Sequence, residues 1–220
     1  FGGGGHSREI LDANSENTLV SFDCDPDAIP RAKALTDDYE GRFTFHDRSF
    51  QWMDEVSSPN EFDGILMDLG ISSFQLMEPK KGFSFRLDAP IDMRLDPRKG
   101  QSAAEFLETA SRESLVRAVR EYGEERRWNR VVNAIIDARG SGVLHRTMSA
   151  AEVVSKAVGG NKSRQRIHPA TKTFQGIRIA INGELEALAI ALPKAFRALK
   201  VGGALAVISF HSLEDRMVKR

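Results

Sequence analysis

The spacing of apolar residues changes character along the chain. Up to residue 77, short apolar runs alternate with helical patterns. Residues 18–22 (Thr-Leu-Val-Ser-Phe) form a short apolar run ending in acids, Asp23 and Asp25, and Pro26 to Leu35 then reads as a helix. Residues 42–46 predict a second strand, and residues 62–67 a third that ends at Asp68. Strands separated by helical segments predict a parallel sheet of βαβ units. Between about residues 85 and 168 the period is helical. Ser102-Ala-Ala-Glu105 and Ser149-Ala-Ala-Glu152 are capping-box patterns. Leu115, Val119 and Tyr122 share a face, with Gly123 as a plausible C-cap. Trp128, Val131, Val132, Ile135 and Ile136 form the next stripe, stopped by Gly140. Such stripes read as core contacts rather than ligand contacts. The last part returns to α/β. Phe174, Ile177, Ile181, Leu185, Leu188 and Leu192 follow one long helical stripe, which Pro193 is expected to end or bend. Gly202-Gly203 then reads as a turn into a buried strand over Ala204–Ser209, with His211 to Arg216 directly after it. The expected organisation is an α/β domain over residues 1–84 and 169–220, interrupted by a helical insert over 85–168.

Composition narrows the class. Of 220 residues, 41% are hydrophobic and 28% charged, which is ordinary for a globular protein. No apolar run approaches the roughly 18 residues a membrane span requires, so no membrane association is expected. Cys24 is the only cysteine, which excludes an internal disulfide framework and fits a reducing, cytoplasmic compartment. No second His or Cys lies at ligand spacing from His211, so no metal is expected. A net charge of zero hides an asymmetry. Residues 1–63 hold 5 Lys/Arg against 14 Asp/Glu, and the remainder holds 26 against 17. Between Lys156 and Gly183 there are six basic residues, among them Lys162, Arg164, Arg166 and Lys172, and no acid. Such a run could track a phosphate backbone. On charge alone, a solvated surface is the better reading.

The candidate chemistry gathers where strands end. Ligands of open α/β sheets bind beyond the carboxyl ends of the strands. The opening Phe-Gly-Gly-Gly-Gly-His-Ser segment reads as a glycine loop running into a helix, and glycine lets a ligand approach the backbone. The strand expected before it would lie ahead of residue 1, so the chain is expected to be incomplete there. Asp23 follows Gly5 by 18 residues. A carboxylate there can accept hydrogen bonds from ribose hydroxyls; as a plain helix cap it would be interchangeable with Asp25. Ser7 replaces the third glycine of the dinucleotide fingerprint, which weakens a pyrophosphate cofactor and leaves room for S-adenosylmethionine (SAM). His6 could donate to a cofactor carboxylate or cap the loop. Asp68, after its strand, could orient an exocyclic amine for methyl transfer or simply cap a turn. Phe50 and Gln75 could flank an adenine ring, although each alone reads more readily as packing or surface.

The segments FGGGGHS, DCDPDA, FDGILMDLGISS, KGFSF, APIDMRLD, GQSAAEFL, YGEER, HPATKTFQGIRIAIN and SFHSLEDRMVK follow one another in this order. Together they resemble the RsmH (MraW) family over essentially the whole chain. The resemblance implies a class I SAM-dependent methyltransferase, Rossmann-like, with an inserted helical substrate-recognition domain. It implies methylation of the N4 amine of a decoding-centre cytidine of 16S rRNA in the assembled small ribosomal subunit. The family's SAM contacts fall on Gly4, Gly5, His6, Asp23, Phe50, Asp68 and Gln75. Asp68 is also the residue expected to orient the amine, and no general base is named. Lys162, Arg164, Arg166 and Lys172 are the expected RNA contacts. A homodimer stays open. Alternatives are the same chemistry on mitochondrial small-subunit rRNA or DNA, and a non-catalytic RNA-binding assembly factor. The chain departs from the family pattern at Phe74, where Pro is usual, at Met77, where an acid is usual, and at Gly3, where a larger residue is common. A looser glycine loop is expected from Gly3. The family also extends beyond both ends, so the isolated 220-residue chain is expected to bind SAM poorly or fold badly.

Overall fold

The computed structural model describes residues 1–159 and 167–219. In chain order the helices and strands are α1 (Gly5–Ala13), β1 (Leu19–Asp23), α2 (Ile29–Asp38), β2 (Phe43–Asp47), β3 (Phe62–Asp68) and α3 (Ser73–Met77). There follow α4 (Ala103–Thr109), α5 (Arg112–Val116), α6 (Trp128–Asp137), α7 (Thr147–Val158) and α8 (Thr171–Asn182). The chain closes with α9 (Glu184–Ala198), β4 (Leu199–Ile208) and α10 (Ser212–Val218). Contacts divide it into one unit of residues 1–74 and 184–220 and a second of residues 75–183.

The first unit carries the strands. β1 pairs in parallel with β2, and β3 with β4. No described strand hydrogen-bonds to both pairs. Each pair has its own core. Leu11 of α1, Ala32 and Leu35 of α2, and Tyr39 and Phe43 bury themselves on the β1–β2 side, with Phe1, Leu19 and Phe45 packed against them. Met53, Met67, Leu69, Leu188, Ala191 and Ala195 form the other cluster, flanked by Phe50, Leu205 and Val207. Full burial of one such large side chain contributes about 1.5–3 kcal/mol. Asp25 caps the helical turn that opens at Pro26, its Oδ1 accepting the Asp27 N–H at 2.9 Å.

Two elements of this unit differ from the sequence expectation. Pro193 does not end its helix: it lies inside α9, which runs on to Ala198. Gly202 and Gly203 lie inside β4, not before it. They fall where the register slips, since Phe62 pairs with Leu199 and Gly64 with Ala204, and Gly202 takes φ 85°. Glycine tolerates such a bulge without steric cost.

The second unit holds helices and connecting segments and no strand among its described residues, apart from a single bridge between Pro90 and Arg146. Leu107, Leu115, Val119, Val131, Val132, Ile135, Leu144, Val154 and Ile177 are buried in it. Ser102 and Glu105 form the expected capping box. Ser149 does not cap: α7 begins earlier, at Thr147, and Ser149 Oγ donates to the Val143 carbonyl. Thr147 instead anchors that helix, its hydroxyl donating to Leu87 O at 2.7 Å and accepting from Ala89 N at 3.0 Å. The long stripe expected from Phe174 to Leu192 is two helices. Gly183, at φ 60°, turns the chain with its N–H on Ile179 O. Residues up to Asn182 therefore belong to the helical unit and those from Glu184 to the other. At the end of α8, Asn182 accepts from Leu95 N at 2.7 Å and donates to Met93 O at 2.8 Å, which ties the APIDMRLD segment to this helix. The unit boundaries thus lie after Phe74 and after Gly183, against sequence boundaries at 84 and 168.

Candidate active site

The first unit gathers the glycine loop, Asp23 and Asp68. Phe1 starts the loop, and its ring packs 5.8 Å from Phe43 and 5.3 Å from Phe45. Gly4 takes φ 79° as the N-cap of α1, and a Cβ there would come within 2.9 Å of the Phe1 ring. Only glycine meets both demands. A Cβ on Gly5 would meet nothing within 4 Å. No side chain caps α1, and no acid occupies its first turn. Its first N–H groups therefore present a partial positive charge that suits an anionic group such as a carboxylate.

Asp23 closes β1 and organises the loop. Its Oδ2 accepts the Gly2 N–H at 2.8 Å and its Oδ1 the Asp25 N–H at 2.9 Å. Each carboxylate oxygen keeps a second acceptor site, so Asp23 can also receive ribose hydroxyls. Arg31 reaches the same loop, its Nε donating to Gly2 O at 3.1 Å.

Asp68 closes β3, where it pairs with Ile208 of β4. His6 Nε2 lies 3.4 Å from Asp68 Oδ2, and both side chains are substantially exposed. The beginning of α1 and the end of β3 thus meet through these two side chains. Sequence reading offered His6 as a donor to a cofactor carboxylate or as a loop cap; its neighbour here is Asp68. Phe50 is half-buried against the cluster that holds Met67 and Leu69, on either side of Asp68.

Beyond β4, the SFHSLED segment folds on itself. Glu214 is buried, its Oε2 accepting the Phe210 N–H at 2.9 Å, and His211 Nε2 lies 3.2 Å from its Oε1. His211 Nδ1 accepts the Glu214 N–H at 3.4 Å, so the imidazole caps α10. With its backbone held this way, Phe210 is left 67% exposed two residues past the strand partner of Asp68. An exposed ring there can stack on a planar base. A lone Phe after an apolar strand carries no signal of exposure in the sequence.

Gln75 is buried in α3 and belongs to the second unit. Lys172 lies on α8, with Nζ donating to Glu124 O at 3.2 Å. Lys162, Arg164 and Arg166 lie outside the described residues. Among the described residues no group of three or more His, Cys, Asp or Glu could hold a metal ion, and no helix is long and apolar enough to cross a membrane.

The sequence profile of the MraW methylase family matches residues 1–220. The chain belongs to the MraW methylase family. Its relatives agree. A protein of Pseudoalteromonas atlantica named ribosomal RNA small subunit methyltransferase H is 47% identical over all of this chain and 71% of its own length. Proteins of the same name from Nitrosococcus oceani and a Cyanothece species are 49% and 47% identical, over 100% and 99% of this chain and 70% and 72% of theirs. Membership makes the chain a methyltransferase whose methyl donor is SAM. The open space at Gly5, the uncapped start of α1 and the strand-end carboxylate of Asp23 fit a donor with an amino-acid end and a ribose.

Proposed function

We propose that this methylase transfers a methyl group from SAM to the N4 amine of a cytidine of 16S rRNA, within the assembled small ribosomal subunit. The observation that carries the reading is the convergence of the glycine loop, Asp23 and the His6–Asp68 pair in one unit. The names of the relatives supply the substrate class. SAM, when bound, supplies an electrophilic methyl group on a sulfonium.

The protein's own part is positioning. Gly4, Gly5 and His6 admit the amino-acid end, Asp23 accepts the ribose hydroxyls, and Phe50 serves the adenine. The lone pair of a cytosine amine is delocalised into its ring. An acceptor that holds one N–H of the amine aims that lone pair and stabilises the positive charge that grows on nitrogen. Asp68 is that acceptor, and His6 beside it steadies its carboxylate. The surplus proton leaves the product cation for water, so no general base is needed. The helical unit, inserted between the two segments of the other, recognises the RNA.

The test uses the protein at its natural full length, labelled SAM and small subunits that lack this methyl group. Label on the cytidine amine, lost in Asp23→Ala and sharply reduced in Asp68→Ala, is expected. Label on free RNA or DNA in preference to subunits would replace the substrate. Absence of label anywhere would remove the catalytic reading in favour of an RNA-binding assembly factor.

A further inference from the structure

The turn between α5 and α6 presents arginines in a way that its fold does not require. Gly123 is pressed against α8, where a Cβ would come within 2.6 Å of Lys172 O and 2.8 Å of Val119 O. The next residue, Glu124, takes φ 48°, and its carbonyl receives Lys172 Nζ. Glu125 turns inward and is buried, its Oε1 accepting the Arg127 N–H at 2.7 Å. This folding leaves Arg126, Arg127, Asn129 and Arg130 around an open recess of about 400 Å³, with no carboxylate in its lining.

The supports of the recess are specific. The Arg127 guanidinium donates to the Val158 carbonyl, and Arg112 Nη2 donates to Asn129 Oδ1 at 2.9 Å. Arg120 stacks over Trp128 with its guanidinium carbon 5.2 Å from the ring centroid. Arg126 and Arg130 are exposed, and neither side chain has a hydrogen-bond or ion-pair partner among the described residues. α6 begins at Trp128 with no acid in its first turn, and the Glu125 carboxylate before it is turned inward onto the Arg127 N–H.

We propose that this recess binds the phosphodiester backbone of the substrate RNA, with Arg126 and Arg130 forking onto phosphate oxygens. Guanidinium suits this role because its fork matches phosphate oxygens and keeps its charge at any working pH. The inference rests on the rRNA reading above and adds to it a place on the helical unit.

The test compares full-length wild type with Arg126→Ala/Arg130→Ala in binding to small ribosomal subunits across a salt series. A conservative pair, Arg126→Lys/Arg130→Lys, accompanies them. Losing one or two phosphate contacts should lower affinity about 10-fold or more near 0.1 M salt. It should also make the plot of log affinity against log salt shallower by about one to two. The lysine pair should keep the wild-type slope, while SAM binding and thermal midpoint stay at wild-type values in both. Unchanged affinity and slope in the alanine pair, with wild type binding normally, would overturn the proposal alone. So would weaker binding accompanied by a lowered thermal midpoint. Failure of wild type itself to bind or methylate RNA would overturn the rRNA reading, and this inference with it.

Discussion

Gly3 and Phe74 are fitted to each other: a Cβ on Gly3 would overlap the edge of the Phe74 ring at Cε2 and come within 3.1 Å of Cδ2. The ring occupies the space a side chain at position 3 would take. Arg31 joins the two, with its guanidinium carbon 4.9 Å from the Phe74 centroid and its Nε on Gly2 O. From the sequence alone, Gly3 is expected to loosen the loop. In the fold, the two unusual residues compensate each other.

Gly3→Ala should therefore displace the ring from the loop and from Arg31. An exposed cation–π contact is worth about 0.5–1 kcal/mol, and Phe74 is 58% exposed. SAM affinity should fall by about 2- to 5-fold, the equivalent of that energy. Phe74→Ala should fall comparably, and the double variant no further than Phe74→Ala alone, because the clash has gone. Titration calorimetry of SAM into the full-length variants measures all three. Strictly additive losses would show that the ring and the loop do not communicate.

His46 gives the fold a pH dependence above the carboxylate range. It stacks on Phe22 across the β1–β2 pair, with centroids 5.3 Å apart and planes 24° from parallel. Burial, with a smaller contribution from Arg48, lowers its pKa from the ordinary 6.5. The unfolded chain then binds the proton more readily than the folded one. Stability from the neutral imidazole is complete above about pH 6.5 and is lost as pH falls from there through the lower folded value. Asp54, held below its ordinary value by its bond from Lys194, loses its contribution only below about pH 4. The thermal midpoint of wild type should drop between about pH 7 and pH 5.5, and His46→Phe should drop less. Equal slopes in the two proteins would count against this assignment.

How far the sequence disclosed this arrangement depended on the kind of signal. β1, β2 and β3 were legible because short apolar runs with acids at their ends are hard to read otherwise. Asp23 and Asp68 stood out for the same reason, as the polar residue closing an apolar run. The break at Gly183 was not legible. Apolar residues kept a helical period across it, and a single αL residue changes direction without disturbing that period. Ser149 misled because a capping-box spelling is common and only the start of α7 at Thr147 decides whether it caps. The arginine recess was hidden by its own composition. Glu124 and Glu125 precede Arg126 and Arg127 and nearly balance them in a running charge count. Only the inward turn of Glu125 shows that they are not on equal terms in space. The Gly3–Phe74 pairing joins positions 71 residues apart in the chain and leaves no local pattern to read.

Gly5 offers a separation of folding from cofactor binding. It is the first residue of α1, and an added Cβ would meet no atom within 4 Å. Alanine is the better helix former by up to about 1 kcal/mol, so Gly5→Ala should leave the thermal midpoint unchanged or slightly raised. If the loop is the wall against which SAM lies, the same methyl group enters the space that the donor uses. SAM affinity should then fall about 10-fold or more, the scale expected when a well-packed contact is overfilled by one methyl group. Gly176→Ala is the contrasting case. Its Cβ would overlap Ala118 O and come within 2.6 Å of Gly123 N. These are backbone atoms, which cannot step aside as a side chain can. That variant should lose about 1–3 kcal/mol of stability, as overpacked sites do. Paired thermal denaturation and SAM titration of the two variants decide the matter. A Gly5→Ala protein that binds SAM as wild type does would move the donor away from this loop, whatever Gly176→Ala does to the fold.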